Sequence, residues 1–559
     1  DIPVVLPRHP TNAKANQVLQ VTEAVVNRIL SGELENEVFA KDEQRVLRKS
    51  NISPEDKVYA NSYVDLGAAE VVGFDYDYTL VSYKPALLYM IYDMAKTGLV
   101  EDIRYPADLL EDLKGYDPTF AIRGLAVDLV SGWVCRLTHR YRVSVAFEGR
   151  ERVTPQRVRD MYKSSAGAGI LPPDERRQRL RALNDLFSTV EACLLADVVQ
   201  WFKDRKIPFD PRSVVTDVLS AVGKAHISGN MHRAVVKDMD SFIEPASRQH
   251  VGQLLERLRR AGKKTMLVSN SPLWYVDAGM SHVVGEGWRS LFDAVVVSAG
   301  KPAFYTQNRP FREVSTQTGR IKFKPITAIE VDEVYSEGSI EELMRLTGWG
   351  RREDGTVDGS RIFYLGDSLF ADLVEARRLY GWTTGAIISE VRHEITAQNS
   401  PQFRLAYSTL RALVHCMRLC QEQMSCTGSA DRQRPYTPVD HEVLDRLEDL
   451  AAVWRVKRDN CTNTNFGSIF RTSKGDGMTE RPSLFAASLQ RHVDFYTAKV
   501  ENLRLYSTDH RFYPSEAGAG IEHEIEHEIS HMSDPVMDLL HSELKPILGN
   551  RKPRRFTDT

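Results

Sequence analysis

Asp75 and Asp77 stand two residues apart where an apolar run ends, in Val71-Val-Gly-Phe-Asp75-Tyr-Asp77-Tyr-Thr-Leu80. Such a run reads as a buried strand stopping at its C-terminal edge, which is where open α/β sheets bind ligands. Side chains two apart on extended backbone leave on the same side, so the two carboxylates start together. In a phosphate site such a pair can divide the work. One attacks phosphorus while Mg²⁺ screens its charge, and the other carries a proton. A strand followed by an acidic turn has the same spelling, so the pair gains its weight from the rest of the chain.

Phosphoryl transfer needs a nucleophile, a proton carrier, cations for the equatorial oxygens and a metal. Candidates for each follow further strand-like runs. Ser269-Asn270-Ser271 closes the run Lys264–Ser269, with hydroxyl and backbone N–H groups suited to phosphate oxygens. Gly300-Lys301-Pro302 comes after Ala294–Ser298 and brings a cation to the same edge. Gly366-Asp367-Ser-Leu-Phe-Ala-Asp372 follows Arg361–Leu365, and its two acids suit a hard, oxygen-seeking Mg²⁺. Each triplet alone is an ordinary turn. Four of them, each behind a strand, are hard to read as turns.

The elements that must position these residues form an α/β protein. The opening strand and the runs at Lys264–Ser269, Ala294–Ser298, Arg361–Leu365 and Thr383–Ile388 predict a five-stranded, mainly parallel Rossmann-like sheet with helices on both faces. Residues 1–60 read as a helical arm, with helical spacing from Asn16 to Leu30. The core is expected in 61–84 and 259–400. Residues 85–258 are long enough for a separate cap over the active edge: a helix over Tyr83–Lys96, β-rich pieces between Arg123 and Phe147, and helices over Arg176–Lys203 and Val214–Leu258. Residues 401–559 read as helical, broken by polar segments at Gly428–Asp440 and Ser473–Ser483. There is no internal repeat.

Composition narrows the classes. At 559 residues, 42% hydrophobic and 27% charged with net charge −3, the chain has the make-up of a soluble globular protein of several units. It carries no specific nucleic-acid signal and no run long enough to span a bilayer. Six cysteines in this length do not make a disulfide framework. Cys416 and Cys420, four apart in an apolar helical pattern with Cys426 nearby, read as core thiols in a reducing compartment.

The set DxDxT, Ser, Lys and GDxxxxD resembles the haloacid-dehalogenase phosphohydrolase superfamily. More closely, Gly73–Leu80 resembles the cytosolic purine 5′-nucleotidase family, and within it the branch of 5′-nucleotidase domain-containing proteins. Asp117-Pro-Thr-Phe-Ala-Ile-Arg-Gly124, Val268–Pro272, Gly381–Ile388, Phe466–Thr472 and Phe512-Tyr-Pro514 extend the likeness over residues 55–525. The resemblance implies a haloacid-dehalogenase-like sheet with a large cap, and hydrolysis of nucleoside 5′-monophosphates in nucleotide metabolism. It implies Asp75 as nucleophile, forming an aspartyl-phosphate. Asp77 would protonate the leaving 5′-oxygen and then activate water, and Ser269 and Lys301 would bind the phosphoryl group. Mg²⁺ would sit on Asp75, the Asp77 backbone carbonyl and Asp367, with Asp372 in support. Asn184 and Phe187 match the residues that meet the base, while Leu219 and Gly223 stand where the purine-specific enzymes have Arg and Asp. Asn270 and Ser271 complete the expected substrate contacts.

Two HExxH spellings, His523–His527 and His527–His531, lack the sequel that supplies a third zinc ligand and read as a solvated acidic helix. The basic Lys545–Arg555 stretch reads as solvated. The rival to hydrolysis is a weakly active or non-catalytic nucleotidase-fold subunit, as a homo-oligomer or in a larger assembly. The related branch and a chain opening on Asp point to mitochondria, with the cytoplasm as alternative.

Overall fold

The computed structural model describes residues 4–6, 8, 13–31, 52–162, 171–425, 438–473, 480–514, 521 and 542. It is a mixed α/β molecule built on a ten-stranded, largely parallel sheet. Seven strands run in one direction: β1 (Val71–Phe74), β2 (Lys264–Val268), β3 (Ala294–Val297), β4 (Val334–Glu337), β5 (Ile362–Gly366), β6 (Thr383–Ile387) and β7 (Phe495–Thr497). They lie in the order β7-β6-β5-β1-β2-β3-β4. Antiparallel strands flank them, Val58–Ala60 beside β7 and Phe311–Val314 with Ile321–Lys322 beyond β4. The chain winds outward from β1 to β4, then crosses back to place β5 on the other side of β1. Crevices form at such a reversal, at the C-terminal ends of the strands.

The sequence pattern explains why both faces are covered. Every residue of β1, β3 and β5 is buried, as in strands packed on two sides. Alternate residues sort by face: Val72, Phe74, Leu267, Val295, Phe363 and Leu365 join one core, and Val71, Met266, Val268, Val296, Ile362 and Tyr364 join the other. Gly73 sits where a Cβ would come within 2.4 Å of the Met266 side chain and 2.7 Å of the Tyr364 ring, so only glycine lets these neighbours close over β1.

Five strands of this sheet exceed the five anticipated from sequence: the three antiparallel flanking strands and two parallel ones. Val334–Glu337 holds only two apolar residues, and Phe495–Thr497 lies more than a hundred residues past β6, in a region expected to be helical. The segment between β1 and β2 carries a second, antiparallel five-stranded sheet, with Val134–Leu137 at its centre and Leu125–Asp128 beside it, and the helices Ala86–Glu101, Ser188–Asp204, Pro211–Ile227 and Pro245–Arg260. The expected helix over Arg176–Lys203 is interrupted. Leu180–Leu183 pairs with Leu125–Asp128 as a strand, because sheet pairing outweighs the helix propensity of Leu, Arg and Ala there.

Helix Ala13–Leu30 buries Val18, Leu19, Val25 and Val26 against Leu405, Leu413, Cys416, Cys420 and Leu447 of helices Pro401–Ser425 and Pro438–Asn460. Cys416 and Cys420 are thus buried thiols, as their spacing indicated. Cys426, the HExxH spellings and the basic stretch at Lys545–Arg555 lie outside the described residues. No helix among the described residues is long and apolar enough to cross a membrane.

Candidate active site

Register brings the acids together. Phe74 of β1 faces Leu365 of β5 and Leu267 of β2, so Asp75, Asp367 and Ser269 leave one sheet edge. Asp75 extends the ladder by donating its backbone N–H to the Leu365 carbonyl at 2.8 Å. Asp372 arrives from a single π-helical turn, Leu369–Leu373, that precedes helix Val374–Tyr380. Ser368 opens that turn, its hydroxyl accepting from the Ala371 N–H. A Cβ on Gly366 would stand 2.5 Å from Asp372 Oδ2, so that carboxylate packs against bare backbone. The result is three buried carboxylates, Asp75, Asp367 and Asp372, each with an oxygen within 4.8 Å of the others.

Lys301 closes the cluster. Its Nζ lies 2.7 Å from Asp75 Oδ1 and 2.6 Å from Asp372 Oδ1, and donates to the Tyr364 hydroxyl at 3.2 Å. Tyr364 in turn donates to the Val268 carbonyl at 2.9 Å. The Asn270 side chain brackets the Lys301 backbone, accepting from the N–H at 2.7 Å and donating to the carbonyl at 3.1 Å. Ser271 likewise braces the loop after β1: its hydroxyl donates to Asp77 Oδ2 at 2.6 Å. The Ser269 hydroxyl accepts from the Ser271 N–H at 3.0 Å, fixing the turn between them. Asp77 Oδ1 accepts from the Tyr83 hydroxyl at 2.7 Å, and Tyr83 meets the Tyr275 hydroxyl at 2.8 Å.

Burial sets the electrostatics. It raises the pKa of Asp75 from its ordinary value, with the Lys301 ammonium opposing and Asp77 adding. Asp367 is pushed well up by burial against the pull of Arg123. Burial, with Asp75 beside it, lifts Asp372 to about 7. Asp77 rises through burial, opposed by the hydrogen bonds from Ser271 and Tyr83. Four carboxylates thus face one ammonium at this edge, since Arg123 is already paired with Glu390. A hard divalent cation answers that charge excess, and an all-oxygen donor set matches Mg²⁺.

Phe187 and Asn184 lie on the segment inserted between β1 and β2. Asp185 accepts from the Ser188 N–H at 2.8 Å and its hydroxyl at 2.6 Å, shaping the turn that carries Phe187. The Phe187 ring meets Tyr78 of the loop after β1 edge-on at 5.0 Å and His226 at 4.9 Å. Asn184 sits half-buried just after the Leu180–Leu183 strand. His226 ends the Pro211–Ile227 helix, which Asp210 caps and which buries Val214, Val218, Ala221, Val222 and Ala225. Its Nδ1 lies 2.9 Å from the Val222 carbonyl, which can only accept, so Nδ1 carries the proton. Nε2 is then a buried acceptor with no hydrogen-bond partner among the described residues. A Cβ on Gly223 would meet nothing within 4 Å, so that position leaves open space.

Tyr83, Tyr364, His226 and Arg123 escaped the sequence reading of the site. Tyr83 stands six residues beyond Asp77, and its Tyr-Lys-Pro context reads as a helix start. The other three come from separate strands and helices, and only the fold brings them near.

The sequence profile of the 5′ nucleotidase family matches residues 58–526. A 5′-nucleotidase domain-containing protein of Dictyostelium discoideum is 33% identical over 473 residues, covering 83% of this chain and 74% of its own length. The rat and human proteins named 5′-nucleotidase domain-containing protein 2 are 33% and 32% identical over 470 and 472 residues. Each match covers 82% of this chain, and 78% of the rat and 83% of the human protein. The profile match spans the edge that carries Asp75, Asp77, Ser269, Lys301, Asp367 and Asp372, and the relatives cover most of the chain: this chain belongs to the 5′ nucleotidase family.

Proposed function

We propose that this protein is a Mg²⁺-dependent phosphoric monoester hydrolase that cleaves nucleoside 5′-monophosphates through an aspartyl-phosphate on Asp75. The observation that carries the reading is the buried triad of Asp75, Asp367 and Asp372 with Lys301 Nζ seated between two of its members. Family membership supports the substrate class. The fold is read as haloacid-dehalogenase-like, with residues 85–258 as the cap that closes the edge.

The Asp75 carboxylate attacks phosphorus from the end of β1, where its backbone is locked into the ladder. Asp77 delivers a proton to the departing 5′-oxygen and later takes one from water. Its raised pKa suits both tasks, and two hydroxyl donors hold its carboxylate in one orientation. Lys301, charged throughout because two carboxylates flank it, moves onto the phosphoryl oxygens as they build charge. Asp75, Asp367 and the Asp77 carbonyl would hold Mg²⁺, with Asp372 in support, and its charge would offset repulsion between carboxylates and phosphate. Phe187 offers its ring to the base, and His226 Nε2 offers an acceptor beside it.

A second reading rests on the Pro211–Ile227 helix, where Leu219 and Gly223 bring no charge to the pocket. A weakly active member of a larger assembly follows if those missing contacts cost most of the substrate affinity, since charge-assisted hydrogen bonds are each worth roughly 1.5–3 kcal/mol. One assay separates the two. Purified protein with Mg²⁺ is expected to release phosphate from members of a nucleoside 5′-monophosphate panel, and Asp75→Asn to abolish release while keeping the thermal midpoint. No release from any member would refute the hydrolase.

A further inference from the structure

Arg123 comes from the inserted segment, immediately ahead of the Leu125–Asp128 strand, yet its side chain is wholly buried against the core. Nε and Nη2 grip Glu390 Oε1 and Oε2 at 2.8 Å each, a two-pronged pair at the start of helix Glu390–Gln398. Nη1 is spent elsewhere: it donates to the main-chain carbonyl of Asp367 at 2.9 Å. A buried ion pair alone gains little over apolar packing, so the Arg123–Glu390 pair is poorly explained as a stabilising device. Its geometry makes sense as a bracket. Glu390 fixes the plane of the guanidinium, and the guanidinium fixes the backbone of a residue in the acid triad.

The insertion that carries this bracket is itself pinned to the C-terminal chain. Arg136 donates to the carbonyls of Phe466, Ser468 and Arg471, and Asn463 Nδ2 donates to the Thr119 carbonyl at 2.7 Å. Arg123 therefore reaches Asp367 from an anchored base.

We propose that Arg123, held by Glu390, is a positioning residue that sets the metal affinity of the acid cluster by fixing the Asp367 backbone. It rests on reading Asp75, Asp367 and the Asp77 carbonyl, with Asp372 in support, as the Mg²⁺ site. Lysine keeps the charge but not the planar fork, so Arg123→Lys separates position from electrostatics.

The test is calorimetric titration of Mg²⁺ into the full chain, beside phosphate release and the thermal midpoint. Arg123→Lys is expected to weaken Mg²⁺ binding at least tenfold. Saturating Mg²⁺ should restore much of its kcat, with KM for the nucleotide within about twofold of wild type. Glu390→Gln, which loosens the fork from its other side, is expected to weaken Mg²⁺ binding several-fold and decides the matter if the lysine variant does not fold. Folded variants that bind Mg²⁺ as wild type does, whatever their thermal midpoints, overturn the proposal and leave the hydrolase reading standing. Wild-type protein that binds Mg²⁺, releases no phosphate, and loses affinity on Arg123→Lys supports the bracket and overturns the hydrolase. Wild-type protein that binds no Mg²⁺ overturns both.

Discussion

In the proposed mechanism Asp77 carries the proton. A buried carboxyl that must gain and lose a proton needs a raised pKa and a fixed direction, and here burial supplies the first while Ser271 and Tyr83 supply the second. Tyr83→Phe removes one donor without emptying the space. Loss of a hydrogen bond to a charged group is worth roughly 1.5–3 kcal/mol, so kcat is expected to fall about 10- to 100-fold with KM little changed. Steady-state kinetics beside a thermal melt would check this, since a merely structural Tyr83 would lower the midpoint and spare kcat. The acids themselves were legible in the sequence because each sits at a fixed offset behind an apolar run. Tyr83 and His226 were not, since nothing in their local spacing ties them to Asp77 or Phe187. The contacts that Asn270 and Ser271 make were not legible in the sequence. Their side chains hold Lys301 and Asp77, and that preference appears only once three strand ends are side by side.

At the scale of elements, helix Ser188–Asp204 carries a cost at its first turn. Glu191 is buried, meets Arg181 at 3.0 Å, and leaves Oε2 without a hydrogen bond among the described residues. Burial lifts its pKa to about 7, against the pull of Arg181 and with Asp185 adding to the rise. A carboxyl with its folded pKa above its unfolded value binds its proton more tightly in the folded state. The folded protein therefore loses stability as pH rises from the ordinary carboxylate range to about 7. Glu191→Gln should remove that slope. Urea unfolding is expected to show the variant more stable by on the order of 3 kcal/mol at about pH 8, and equal to wild type at about pH 4. The elements themselves were mostly readable where the apolar run was long. The five expected strands are all in the sheet, because Val- and Ile-rich runs with Gly or charged ends leave few alternatives. Val334–Glu337, Phe495–Thr497 and Leu180–Leu183 were not readable, because each is set by its pairing partner rather than by its own residues.

At the scale of the whole molecule, chain segments hundreds of residues apart share one edge. β1 brings Asp75 and Asp77, the turns after β2 and β3 bring Ser269 and Lys301, β5 brings Asp367, and the insertion brings Phe187 and Arg123. The C-terminal chain completes the sheet through β7 and ties the insertion down through Arg136. Composition said only that such a chain folds; the order of motifs along it said where the edge would lie. In the proposed mechanism this convergence makes Asp75 a nucleophile. Acid-quenching the protein with Mg²⁺ and a cleaved nucleotide, then mapping peptides by mass spectrometry, tests it directly. The expected result is a phosphate adduct on the peptide containing Asp75, absent from Asp75→Asn. Steady phosphate release with no adduct, and with Asp75→Asn as active as wild type, would contradict it.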